Sequence, residues 1–92
     1  MALSAEDQAW RDAYYIADVG ASNPRGVERT LTETSGRVGS DHPAVRAIRG
    51  HLEFLRGESL GPSFGDLDAV RVNARRLGII DDAGKYVGDV RG

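Results

Sequence analysis

Gly61-Pro62-Ser63-Phe64-Gly65 matches G-x-S-x-G, the pattern of a hydrolase nucleophile elbow, which raises a serine on a sharp turn between a sheet strand and a helix. Here a helical pattern and a Gly/Pro loop precede the serine, and no parallel sheet is on offer. Both histidines, His42 and His51, come before Ser63, opposite to the usual order of that fold. Ser63 is therefore expected to cap a helix. The two histidines are nine residues apart, roughly 180° around one helix, so they do not share a metal easily. His42 reads as a cap-region residue and His51, beside Leu52, as a packed or interface histidine. Asp81-Asp82 with Asp89 fits no EF-hand spacing, and turn chemistry accounts better for the first pair. Cysteine is absent, which removes thiolate metal sites and disulfides. With no convergent acid–base pair, metal set or phosphate loop, the expectation is a non-catalytic protein without a cofactor.

Arg71, Arg75, Arg76 and Lys85 suggest a different chemistry. A helix ending Arg75-Arg76-Leu77-Gly78-Ile79-Ile80, then a turn and Lys85-Tyr86-Val87, looks like the end of a winged-helix DNA-binding domain, where a recognition helix feeds a two-stranded wing. These four basic residues would meet phosphates. Asp66 and Asp68 at the helix start, and Asp81, Asp82 and Asp89 around the turn, oppose a polyanion. A DNA-binding regulator stays as the alternative reading. The preferred contacts are with protein: Tyr15 lies about 100° off the Trp10–Tyr14 face, Phe54 lies off the main stripe of its helix, and His51 and Arg56 complete the expected partner surface.

The elements that must position these residues are mainly helical. From His42 to Arg56, Val45, Ile48, Leu52 and Leu55 fall at i, i+3, i+7 and i+10, one apolar stripe along a helix over about 43–56. Pro43 suits its first turn, Asp41 or His42 can cap it, and Arg49 and Glu53 are spaced for an ion pair. A first helix is predicted over about 4–19, capped by Ser4, with Glu6 and Asp7 at its positive end and Trp10, Ala13, Tyr14 and Ala17 facing inward. Asn23-Pro24 starts a second over about 24–37, with Val27, Leu31, Thr34 and Val38 as its thinner face. A fourth, opening at Ser63 or Asp66 and covering about 66–77, carries Leu67, Val70, Ala74 and Leu77, a 3-4-3 spacing matching the third. The two are expected to pack antiparallel across the Gly57–Gly65 loop. Ile79-Ile80 and Lys85-Tyr86-Val87 around Asp81–Gly84 predict a short β-hairpin over about 79–88.

Ninety-two residues, 40% hydrophobic and 28% charged, make one small helical domain over 1–92 with a modest core, which self-association as a homodimer would help. The net charge of −2 is spread without a basic footprint, and Lys85 is the only lysine among 12 basic residues, a bias that fits a GC-rich genome. No apolar run approaches the roughly 18 residues of a membrane span and no charged-then-apolar leader opens the chain, so a cytoplasmic protein is expected.

Ala21-Ser22-Asn23-Pro24-Arg25-Gly26-Val27, followed by Asp41-His42-Pro43-Ala44-Val45, resembles a group of small uncharacterised proteins from actinobacteria and their bacteriophages, mycobacteriophages among them. Relatives in that group often read Ala-Cys-Asn-x-x-Gly-Val with a later His-Pro pair; Ser22 stands here in place of the cysteine. The likeness covers residues 14–56, under half of the chain, and both motifs are helix starts. It carries over no activity, and implies a small bacteriophage accessory protein that binds a host or phage protein.

Overall fold

Four local caps set where the chain begins to coil. In a computed structural model that describes residues 3–90, Ser4 Oγ accepts from Asp7 N, the Asn23 side chain from Arg25 N, His42 Nδ1 from Ala44 N and Ser63 Oγ from Asp66 N. The helices that follow are α1 (Ala5–Ala13), α2 (Pro24–Val38), α3 (Pro43–Leu55) and α4 (Phe64–Arg76). Pro24 and Pro43 sit in first turns, where a missing N–H costs nothing. Among the described residues no helix is long and apolar enough to cross a membrane.

α1 continues directly into a π-helical turn, Tyr14–Asp18. Val19 N donates to Tyr14 O at 3.0 Å and Ala21 N to Ile16 O at 3.1 Å, each spanning five residues instead of four. The wider turn shifts the helical phase. Ile16 turns into the core, while Ala17, placed inside by a 3.6-residue period, is only half-buried.

α3 forms the centre and touches α1, α2 and α4. Ala44, Val45, Ala47 and Ile48 are fully buried along it, and Val27, Val70 and Ile79 close the core from the other elements. The return loop lies flat on α3 because Gly50 has no side chain: a Cβ there would stand 2.8 Å from Pro62 Cα. Ser59 Oγ ties the same loop down, accepting from Gly61 N at 3.1 Å and donating to Gly50 O at 3.4 Å. Arg46 then reaches Asp66 at 3.0 Å. So α4 starts beside the first half of α3, not at Leu55, where a direct antiparallel helical hairpin would start it. The expected Arg49–Glu53 pair is also replaced, Arg49 donating to Ser40 O at 3.1 Å.

The β-hairpin expected over 79–88 does not form. Among the described residues there is no strand, and Ile80 and Tyr86 make one isolated antiparallel bridge. The reason lies in Asp81. Its Oδ1 accepts from Ala83 N at 3.0 Å and Lys85 N at 2.9 Å, while its carbonyl accepts from Gly84 N at 2.9 Å. A turn that consumes its own amides leaves few for a ladder. Ile79 and Ile80 are nevertheless buried, and Val87 N donates to Ile79 O at 2.8 Å, so the segment is a tail strapped to the core.

Candidate functional site

Of the residues singled out for protein contact, Tyr15 is engaged within the chain. It is half-buried, its hydroxyl is 3.2 Å from that of Tyr86, and the Arg11 guanidinium carbon sits 5.3 Å from its ring centre. Burial, and then the Tyr86 hydrogen bond, push its phenol well above the usual range. α1, the π-helical turn, α2 and the tail border here an open cleft of ≈ 420 Å³, lined by Arg11, Asp12, Tyr15, Thr30, Tyr86 and Asp89 among others. Its charges are paired internally. Arg11 donates from Nε and Nη2 to the two Asp89 oxygens, at 2.9 and 2.7 Å, and this holds the Asp89 carboxyl down at about 2. Asp12 accepts from Gln8 at 3.0 Å and Arg37 at 3.2 Å, yet burial outweighs them and raises its pKa. With guanidinium and carboxylate donors and acceptors already matched, the cleft offers little to a charged ligand.

His51 is 7% exposed, with Nε2 2.6 Å from Ala21 O. A carbonyl only accepts, so Nε2 carries the proton and the ring clamps the α1–α2 connection onto α3. Phe54 is 51% exposed with its ring centre 6.0 Å from that of His51, and Arg56 pairs with Glu28 of α2. The structure brings His51 and Phe54 together on α3, whereas Tyr15 lies in the cleft under the tail.

Of the basic set, Arg71 bonds Asp18 at 2.9 Å and Arg76 bonds Asp7 at 2.7 Å, both fastening α4 to the first helix. Arg75 donates to Asp81 O at 3.3 Å, and Lys85 is exposed in the tail turn. Asp89, weighed as part of a cation site, is taken by Arg11, and Asp81 is taken by its own turn. His42 takes part in a cluster that spacing did not reveal. Its Nδ1 accepts from Ala44 N, so Nε2 bears the proton and donates to Glu6 at 2.9 Å; Trp10 Nε1 donates to the other Glu6 oxygen at 3.1 Å. The His42 hydrogen bond, most of all, lowers the Glu6 pKa. This is a cap locked in one tautomer.

A more unusual feature is at the corner between the return loop and α4. Leu60 is 101% and Phe64 91% exposed, whereas the other large apolar side chains among the described residues are at least partly covered. Beside them, Phe64, Gly65, Leu67, Asp68 and Arg71 line a groove of ≈ 490 Å³. Sequence reading passed over both residues. The available signal was two large apolar residues lying off the Leu67–Leu77 stripe, in a loop otherwise made of Gly, Pro, Ser and a single Glu. Ser63 sits between them as the N-cap of α4.

No protein-family model, curated protein or solved structure matches this chain.

Proposed function

We propose that the chain is a non-catalytic protein-binding module whose contact surface is the Leu60–Phe64 corner, with the exposed edge of Phe54 a further contact. The observation that carries this reading is the full exposure of Leu60 and Phe64. Burying such a side chain gains about 1.5–3 kcal/mol, a gain that the isolated fold does not collect and a partner surface would. Buried polar groups offer no competing site: among the described residues no buried side-chain nitrogen or oxygen lacks a hydrogen-bond partner. In line with the resemblance of residues 14–56, the biological form is a bacteriophage accessory protein acting on a host or phage protein, and its proposed setting is the cytoplasm. Pairing of Arg71 and Arg76 with carboxylates gives the DNA-binding alternative less support.

The test is the double substitution Leu60→Ser with Phe64→Ser, followed by thermal melting and by quantitative capture of partners on immobilised protein. An unchanged melting temperature with capture reduced at least tenfold is expected. A melting temperature that falls by many degrees would make the two residues core, and unchanged capture would place the contact elsewhere. Salt-sensitive retention of a generic duplex by the wild type would transfer support to the four basic residues.

A further inference from the structure

We infer that the surface docks a second copy of this chain, through antiparallel pairing of α4 with α4 about a two-fold axis; the inference rests on reading the Leu60–Phe64 corner as a contact surface. The exposed side chains Phe64, Asp68, Arg71, Val72 and Arg75 fall at i, i+4, i+7, i+8 and i+11, one stripe on the side of α4 away from buried Val70 and Ala74. Read from the N-terminus the stripe runs aromatic, acid, base, aliphatic, base. Turned end for end on a copy of itself, it becomes complementary. Asp68 of each copy meets Arg71 of the other, and Phe64 of each meets Arg75 of the other as a ring under a guanidinium. In every such pair the two residue numbers add to the same total, the condition for one axis to satisfy all of them. Parallel pairing would set Asp68 on Asp68 and Arg71 on Arg71, so charge alone selects the antiparallel form.

The groups concerned are available. Asp68 has no ion-pair partner among the described residues. Arg71 uses Nε for Asp18 and Arg75 uses Nε for Asp81 O, leaving the donors on their terminal nitrogens for the copy. The groove beside Leu67 accepts Val72 of the copy, which is 51% exposed in the single chain. A 13-residue helix is only about 20 Å long, so the interface is small and the dimer forms at micromolar or higher concentrations.

Because the chain contains no cysteine, single cysteines report the register cleanly. The experiment compares disulfide formation by Asp68→Cys alone, Arg71→Cys alone and an equimolar mixture, beside solution mass of the wild type over a concentration series. The mixed pair keeps one Asp68–Arg71 contact while joining the other, so the mixture should cross-link at least tenfold faster than either variant alone. The wild type should dimerise with rising concentration, and Phe64→Ser should move the midpoint at least tenfold upward. Asp18→Asn, which breaks the internal pair of Arg71 but none across the axis, should leave dimerisation unchanged. A wild type monomeric at every concentration, or a mixture no faster than its components, overturns the inference. If in that case Leu60→Ser with Phe64→Ser still abolishes capture of a different protein, only the identity of the partner was wrong; if capture too is unchanged, the contact surface itself falls.

Discussion

Two glycines in helices have opposite meanings here. Gly50 faces the Pro62 backbone with no room for a methyl, so Gly50→Ala should force the return loop off α3 and cost about 1–3 kcal/mol in urea unfolding. Gly36, inside α2, has nothing within 4 Å of a built Cβ, and Gly36→Ala should stabilise by about 0.5–1 kcal/mol through backbone entropy. Spacing alone could not separate them, because the difference lies in a loop 12 residues further along the chain. Ser63 was legible: an N-cap bonds only three residues ahead. Ser63→Ala should cost about 1 kcal/mol, read by the same unfolding curves.

At the scale of elements, the tail is the least autonomous part. Its bond to Arg11 depresses the Asp89 carboxyl to about 2, below the roughly 3.9 of an unconstrained aspartate. A depressed acid contributes attachment that is fully present above the unfolded value and is lost as pH falls through the folded one. The tail should therefore loosen between about pH 4 and pH 2, seen as merging of the Tyr15 and Tyr86 ring resonances and faster exchange at Val87 N. Asp89→Asn should abolish this pH dependence, with little change in melting temperature because the pair is exposed. The four helices were legible for the reason that the tail was not. Caps and apolar stripes act over three to eleven residues, whereas the failed hairpin was decided by competition between Asp81 and the ladder, and the π-helical turn by how Ile16 packs.

For the whole molecule, stability concentrates at α3. Ile48 is fully buried at the junction of the elements, so Ile48→Ala should cost about 2–5 kcal/mol, a large part of the stability of so small a domain. Around that core, ion pairs between distant segments (Asp7 with Arg76, Asp12 with Arg37, Asp18 with Arg71) bring three arginines onto carboxylates of α1 and its π-helical turn. That arrangement redirects arginines that the sequence offered to phosphate, and it leaves Leu60 and Phe64 as the outlying apolar pair.

By itself the sequence determined that the chain is mainly helical, where the first three helices start, and most of the stripe each turns inward, since these depend on contacts within a turn or two. Only the tertiary structure decided which side chains remain outside. Tyr15 and His51 are engaged within the chain and Leu60 and Phe64 are exposed because the tail folds over the first and the α1–α2 connection meets the second, while nothing among the described residues covers the last two. Exposure is a property of what arrives from elsewhere in the chain, and a local pattern does not contain it.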